Sequence, residues 1–362
     1  MFVAWRDLRF AKGRFTLMGT VIVLITLLVG LLSGLTAGLA RENISAITGL
    51  PADRIAFAAP PSGQSVSFTS STVSEDQWRR WAGRPGVTAA EPLGIRTLNA
   101  TAGDRTAALS AFGTRPAGGL APGTGRLAPG HAVLSEAAAE ELDATAGDAV
   151  RLGPLEVTVA AVAGDASYSH TPVAWITLDD WQRLGRDGTT PEERATATVI
   201  ALSGSGADWA AGDQALGTRS RTVDGALTAI GSYQAENGSL QMMRGFLFVI
   251  SALVIGAFFT VWTIQRSADV AVLKALGAST PYLLKDALGQ AVAMLGAGTL
   301  LGTGLAAAVG GLISGGDVPF VLRPLTVLGP AAVMIALGVL GAALSIRRIT
   351  AVDPLTALGS AR

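Results

Sequence analysis

Residues Val261 to Asp286, VWTIQRSADVAVLKALGASTPYLLKD, form a charged segment with a long apolar run on each side, and the rest of the chain is arranged about it. Its apolar residues Val270, Leu273 and Leu276 recur three apart, as on one face of a short helix, and Gly277 is a suitable helix stop. Its charged side chains are Arg266, Asp269, Lys274, Lys285 and Asp286. This pattern fits a helix lying on the membrane surface and a helix that docks a partner protein equally well.

The composition indicates a membrane protein. Mean hydropathy is +0.45 and only 15% of the residues are charged, whereas about a quarter are charged in a typical soluble chain. The chain has no cysteine and two histidines, which excludes a disulfide framework and a thiolate metal site. Its formal net charge is zero, so nucleic acid, which is bound by an excess of Lys and Arg, is not an expected partner.

Four apolar segments are each long enough to cross the roughly 30 Å hydrocarbon core of a bilayer. They are residues 16–40, 245–264, 287–313 and 325–346. A cleaved signal peptide is the alternative for the first segment, but that segment exceeds the apolar core of a signal peptide, which is about 7 to 15 residues long. Within it Gly30, Gly34 and Gly38 lie four apart, a spacing typical of closely packed membrane helices.

Among the short segments that flank the spans, basic residues are concentrated in those predicted to face the cytoplasm. Residues 1–15 mix four basic side chains with aromatic ones, which favours a short helix in the membrane surface, with a plain charged flank as the alternative. The segment 265–286 and the tail 347–362 are also basic, whereas the loop 314–324 carries one Arg. A multi-pass protein of the plasma membrane with both termini in the cytoplasm is therefore expected.

Residues 41–244 are more polar and are predicted to form one α+β domain outside the cell, within the usual size of a domain. Alternating runs predict strands at Leu155–Ala163 and Pro172–Leu178. Capping residues before apolar periodicity predict helices at Ser135–Leu142 and Asp179–Leu184. The expected fold class is four transmembrane helices with this large extracytoplasmic domain inserted between the first and the second.

Residues 225–243 lead from the domain into the second apolar segment and are predicted to form a helical stalk. Tyr233, Glu236, Leu240 and Met243 are spaced three, four and three apart, which places them on one face of such a helix. Gly238 weakens the helix prediction.

The motifs of several enzyme classes are absent from the sequence. There is no G-x-x-x-x-G-K-[ST], so the chain has no P-loop for ATP, and there is no H-E-x-x-H or G-x-S-x-G. The predicted spans carry no ionisable residue in their interior, which argues against a proton or ion pathway. The chain is therefore predicted to be a non-catalytic subunit that is powered by another protein, and a membrane-anchored hydrolase is the less favoured alternative.

The charged segment resembles that of FtsX/MacB-type ABC transporter permeases, in which R-x-x-E-[IV]-x-[VL]-L-[KR]-A-[LI]-G-A-[ST] follows the second span. The match runs from Arg266 to Ser279, with Asp269 in place of the usual glutamate. The tail RRITAVDPLTAL, Arg347 to Leu358, is similar to the closing pattern of that family, in which D-P-x-x-A-L follows a basic pair. The resemblance implies a homodimeric permease surrounded by membrane lipid. Each half would bind an ABC ATPase subunit that hydrolyses ATP and drives a lever movement of the outside domain.

The resemblance also implies roles for individual residues. Contact with the ATPase subunit is expected at Asp269, Val270, Leu273, Lys274, Leu276 and Gly277. Residues 232–267 are similar to the Hrt-type haem-exporting permeases, so haem is expected as the substrate and not as a prosthetic group. Haem is expected at Tyr168, Tyr233, Glu236, Met242 and Met243, with Glu236, Met243 and Tyr233 as candidate ligands of its iron and no metal bound directly.

Other functions remain open on the residues alone. A peptide, lipid or lipophilic-drug exporter would use the same machinery, and an FtsX-like relay to cell-wall hydrolases would transport nothing. The large outside domain counts against the relay. Each candidate haem residue also has a structural interpretation: Tyr168 and His170 as loop residues, Met242 and Met243 as packing residues, and Glu236 as a solvated charge.

Overall fold

The computed structural model of the chain describes residues 12–123, 125–185, 196–265, 272–274, 276–313, 318–321 and 324–350. The chain divides into two compact units, one of residues 1–38 and 239–362 and the other of residues 39–238. The predicted surface helix at residues 1–15 lies mostly outside the described residues, and so does the tail from residue 351.

The helices and the strands are numbered separately, each in chain order. The helices are α1 (Lys12–Thr48), α2 (Glu75–Ala82), α3 (Glu136–Leu142), α4 (Leu178–Leu184), α5 (Trp209–Leu216), α6 (Val223–Ala226), α7 (Gly231–Gln265), α8 (Thr280–Ile313) and α9 (Pro324–Thr350). The strands are β1 (Arg54–Ala58), β2 (Val73–Ser74), β3 (Val87–Ala102), β4 (Arg105–Thr114), β5 (His131–Leu134), β6 (Ala149–Leu152), β7 (Leu155–Val162), β8 (Ser167–Tyr168), β9 (Thr171–Thr177), β10 (Thr196–Ala197), β11 (Val199–Gly204) and β12 (Thr218–Thr222).

Among the described residues, four helices are long and apolar enough to cross a membrane. Their bounds as candidate spans are Thr16–Thr48, Gly231–Gln265, Pro281–Ile313 and Thr326–Leu344. The mixed α and β domain lies between the first and the second in sequence, which confirms the predicted fold class. Helices α1 and α7 extend beyond the apolar segments, because the polar residues next to those segments continue the helix.

Three glycines of α1, Gly30, Gly34 and Gly38, lie where other elements of the same unit approach closely. A Cβ on Gly30 would lie 2.8 Å from the Cβ of Ala306 in α8, and a Cβ on Gly34 would overlap the ring of Phe320. Gly310 of α8 contacts the same ring. The close packing predicted from the glycine spacing is confirmed, although the group that packs on Gly34 is an aromatic ring from the segment between α8 and α9.

The domain is built on a ten-stranded sheet in which nine strands follow the order β12-β1-β11-β3-β4-β9-β5-β7-β6 and β8 pairs with β9. The end of β3 also pairs with β6, through Ala100 with Leu152. Strands β3, β4, β9, β5, β7 and β6 therefore form a closed ring. Closure gives each of these strands a partner on both sides, so none of them is an exposed edge.

Helix α4 packs on the ring of strands through Trp181, which is 7% exposed. Its side chain lies on Gly94 of β3 and Gly113 of β4, which face each other in the register of the two strands. A Cβ on either glycine would overlap the Trp181 side chain. The two glycines thus form a slot that sets the position of α4.

Local predictions for the domain are confirmed. The run Leu155–Ala163 forms β7 and Pro172–Leu178 forms β9, each to within a residue. Helix α3 begins after Ser135, whose hydroxyl accepts a hydrogen bond from the Ala138 N–H. Helix α4 begins after Thr177, which accepts from the N–H of the third residue of the helix in the same way. Short polar side chains at these positions stabilise a helix start because they bind N–H groups that lack helical partners.

The stalk differs from its prediction. Helix α7 starts only at Gly231, because residues 223–226 form the separate helix α6, residues 227–229 form a 3-10 turn and Ile230 is extended. Gly238 does not interrupt α7, since one glycine in a long helix costs only about 1 kcal/mol relative to alanine.

Candidate functional site

Glu236 lies in the second turn of α7, within the domain unit, and Tyr233 lies one turn before it. Tyr233 is half-buried and packs against the hydrophobic core of the domain. The Glu236 side chain is 41% exposed. The helix therefore directs these two predicted ligands differently, Tyr233 to the core and Glu236 to neighbouring polar groups.

Both carboxylate oxygens of Glu236 have partners. The Nε2 atom of His170 lies 2.9 Å from Oε1 and 2.9 Å from Oε2. The Nδ2 of Asn43 donates to Oε2 at 3.0 Å. The other ring nitrogen of His170, Nδ1, lies 3.4 Å from Oε2 of Glu42. A histidine thus stands between two glutamates that come from α1 and α7.

Asn43 lies at the centre of these contacts and is 1% exposed. Its Oδ1 accepts a hydrogen bond from the hydroxyl of Ser232, and its Nδ2 lies 2.7 Å from Nε2 of His170. The hydroxyls of Ser232 and Ser169 are 2.8 Å apart. We call the connected set the polar clasp, and its residues are Glu42, Asn43, Ser169, His170, Ser232 and Glu236.

The turn between β8 and β9 places Ser169 and His170. Both residues have a positive φ, 52° for Ser169 and 63° for His170, as in the two-residue turns that match the twist of a hairpin. Their N–H groups donate to carbonyls of α1, Ser169 to Asn43 at 3.0 Å and His170 to Glu42 at 3.2 Å. The main chain thus holds this turn against the last turns of α1.

An ion pair between Arg41 and Asp165 flanks the polar clasp. The two side chains are 42% and 60% exposed, and an exposed pair stabilises a fold by no more than about 1 kcal/mol. Closer to the clasp, the hydroxyl of Ser45 accepts from the N–H of Ser167 at 2.8 Å. These contacts add to the attachment of the β8–β9 hairpin to α1.

The structure does not bring Tyr168 to the polar clasp. Its ring is 6% exposed and packs edge-on against Phe68 and Phe112, with centroid distances of 5.8 and 5.6 Å. Burial raises the pKa of the Tyr168 phenol above its ordinary value, which disfavours the phenolate that binds iron. The sequence prediction that Tyr168 contacts a substrate is therefore corrected: Tyr168 is a core residue.

Met242 and Met243 belong to the other unit, further along α7. Their side chains are 63% and 50% exposed. Exposed methionines in an apolar helix are equally suited to contact lipid and an apolar ligand. Met242 and Met243 therefore remain candidate substrate contacts, and the support for this prediction is their position in the sequence.

The coupling segment ends in a well-defined cap. Leu273 and Lys274 belong to the helical turn of residues 272–274, and the N–H groups of Gly277 and Ala278 donate to the carbonyls of Lys274 and Leu273 at 3.0 and 2.9 Å. Gly277 has a φ of 98°, as this type of helix end requires. The prediction that Gly277 stops the helix is confirmed. Asp269 and Val270 lie outside the described residues.

Leu276 follows that turn and is 80% exposed, and Val272 is 53% exposed. The Leu276 N–H donates to the Val272 carbonyl, so these two exposed apolar residues lie one helical turn apart.

Two family matches cover the chain. Residues 15–219 match the MacB-like periplasmic core domain, which is more than half of the chain, and residues 242–354 match the FtsX-like permease C-terminal family. The chain belongs to the FtsX/MacB-type permease family. As an ABC transporter permease it works with a separate ATPase subunit.

Relatives resemble the permease over its whole length. A protein of Staphylococcus haemolyticus provisionally named hemin transport system permease protein HrtB is 26% identical over 364 residues, 99% of both chains. A protein of the same name from Staphylococcus epidermidis is 25% identical over 370 residues, again 99% of both chains. An uncharacterized ABC transporter permease of Mycobacterium tuberculosis is 26% identical over 286 residues, 76% of both chains.

The permease is also similar to a solved structure, the periplasmic region of MacB from Actinobacillus actinomycetemcomitans. It matches 49% of the permease and 92% of its own chain at 12% identity, with a TM-score of 0.36. A similarity at this level carries no conclusion beyond the family matches.

Sequence reasoning missed most of the polar clasp of the permease. No sequence pattern indicates Glu42, Asn43, Ser169 or Ser232, and the pattern around His170 predicts only a loop residue. The clasp residues come from three elements, and Asn43 and Glu236 are 193 residues apart in sequence. The one local signal was His170 itself, one of two histidines in the chain.

Proposed function

We propose that the permease exports haem, and that Glu236 and Tyr233 at the start of α7 contribute to the haem site. In this proposal two copies of the permease form a homodimer with both termini in the cytoplasm of the cell. ATP is hydrolysed by the ATPase subunits, and the permease itself binds haem as a substrate.

The observation that carries the proposal is the full-length similarity to proteins provisionally named HrtB. The side chains at the start of α7 are compatible with it. Tyrosine is an established axial ligand of haem iron, and Tyr233 lies one turn before Glu236 in α7. Met243 follows Glu236 by seven residues, which is two turns along the same face of α7.

A porphyrin suits this site better than a free metal ion does. Among the described residues, no group of three or more His, Cys, Asp or Glu side chains is arranged to hold a metal ion. Haem brings four ligands of its own to the iron, so one or two axial side chains are enough. The single carboxylate of Glu236 meets that smaller requirement.

Docking of the ATPase subunit is proposed at the segment that ends in Gly277. Its exposed apolar side chains, Val272 and Leu276, are the kind of group that becomes buried at the centre of a protein interface. The Gly277 cap fixes the direction in which they project.

A haemin titration of the purified, detergent-solubilised permease tests the function. We expect a saturable shift of the Soret band at about one haem per dimer. Glu236→Gln and Tyr233→Phe should each weaken binding, Glu236→Gln by roughly tenfold, since each tenfold change corresponds to about 1.4 kcal/mol of lost contact.

Tyr168→Phe is the matched control for Tyr233→Phe, because it removes the same hydroxyl from a buried tyrosine. Its haemin affinity should equal that of the wild type. A shift that does not saturate and matches empty micelles would remove haem as the substrate and leave peptides, lipids or a cell-wall partner to be tested.

A further inference from the structure

We propose that the polar clasp is a lock on the substrate site: Glu236 becomes available to a ligand only when the clasp opens. This inference rests on the proposed function, because it takes Glu236 as a residue that holds the substrate. Before a ligand binds Glu236, the contacts between α1, the β8–β9 turn and α7 must break.

The position of His170 blocks the carboxylate of Glu236. Its Nε2 is equidistant from the two oxygens, 2.9 Å from each, so one atom contacts both oxygens of the carboxylate. An iron atom held by both oxygens would need the same position. The porphyrin around that iron is much larger than the imidazole that fills the space. Haem and His170 therefore exclude each other at Glu236.

Asn43 makes the closed state cooperative. Through its amide it contacts the Glu236 carboxylate, the Ser232 hydroxyl and the His170 ring. Because Asn43 is 1% exposed, its polar atoms cannot exchange these partners for water without local opening, and a buried polar group left unpaired costs about 1–3 kcal/mol. The clasp is thus expected to open as a unit.

Opening the clasp also breaks contacts between the last turns of α1 and the first turns of α7. Glu42 and Asn43 belong to α1, which contains the first candidate span, and Ser232 and Glu236 belong to α7, which contains the second. A ligand that takes Glu236 therefore favours separation of these helix ends. By thermodynamic reciprocity, a movement that separates the helix ends favours the ligand to the same extent.

A reversible disulfide tests the lock. The hydroxyls of Ser169 and Ser232 are 2.8 Å apart, so cysteines at both positions can reach each other, and the chain has no other cysteine. In full-length Ser169→Cys/Ser232→Cys permease we expect oxidation to lower haemin affinity by about tenfold or more, because the fraction of open protein falls. Reduction should reverse the loss.

Two further variants make the result specific. The single variant Ser169→Cys, treated with the same oxidant, should show no change in haemin affinity on oxidation. His170→Ala removes the side chain that covers Glu236 and should raise haemin affinity by a few-fold, since a larger fraction of the protein is then open. Weaker binding in His170→Ala, or full haemin affinity in the oxidised double variant, would overturn the lock.

The rate of disulfide formation tests the clasp without haem. The paired cysteines should cross-link readily in the ligand-free permease and several-fold more slowly when His170→Ala is added, because the turn is then less firmly held. Absence of cross-linking, or an equal rate in both backgrounds, would contradict the clasp. If haemin fails to bind any variant saturably while the cross-linking result is as expected, the haem function fails and the clasp remains.

Discussion

At the scale of single residues, Tyr168 and Tyr233 show how two similar side chains take different roles. Tyr168 lies in β8, where the alternation of the strand directs it into the domain core beside Phe112. Tyr233 lies in the first turn of α7 and is half-buried. Aromatic residues at both positions could be read from the sequence, but which of them is accessible depends on the strands packed around Tyr168.

The buried phenol of Tyr168 leads to a prediction about alkaline pH. Burial raises the pKa of Tyr168 in the folded state, whereas an unfolded tyrosine ionises near pH 10. The neutral phenol therefore stabilises the fold fully below about pH 10, and this stability is lost as the pH rises further. As the pH rises above about 10, the wild type should lose thermal stability more steeply than Tyr168→Phe. Parallel melting profiles by circular dichroism would contradict the assignment of Tyr168 to the core.

At the scale of elements, helix α4 depends on the slot made by Gly94 and Gly113. Gly113→Ala should destabilise the domain by about 1–3 kcal/mol, as overpacking of a core does, because its Cβ would overlap Trp181. The measurement is the thermal unfolding of the purified permease followed by circular dichroism.

Gly238→Ala is the control for this prediction, since it makes the same chemical change in an open position of α7, where a Cβ would meet no atom within 4 Å. It should stabilise the helix by about 0.5–1 kcal/mol. An equal effect of both substitutions would mean that the Trp181 contact does not determine the outcome.

Elements were predictable where their signals are local. Ser135 before α3 and the alternation in β7 lie within a few residues of what they determine. The closure of the sheet through Ala100 and Leu152 and the assembly of the clasp join residues far apart in sequence. Such pairings depend on how strands and helices pack, and no short window of sequence contains that information.

At the scale of the whole molecule, the order of one span, a large domain and three further spans could be read from hydropathy, because a membrane-spanning helix needs about 20 apolar residues in a row. The coupling segment is described in part, so the proposed contact with the ATPase subunit can be tested there. Leu276 is suited to this test because it is 80% exposed and its replacement leaves the core intact.

Leu276→Glu should reduce the amount of ATPase subunit that co-purifies with the permease by roughly tenfold, because a charge replaces an apolar side chain at the proposed interface. Leu276→Met keeps the apolar character and should behave as the wild type. Undiminished co-purification of the ATPase subunit with Leu276→Glu would place the docking surface elsewhere.

Phe320 limits how two of the spans can move against each other. Its ring fills the space left by the missing side chains of Gly34 in α1 and Gly310 in α8. Along α1, the next glycines on this face are Gly30 and Gly38, each four residues or about 6 Å away, which is slightly more than one turn. A smaller axial displacement would drive larger side chains into the ring. Helices α1 and α8 can therefore rotate about Phe320 or shift along their axes by about one helical turn. A continuous axial shift is blocked by the ring.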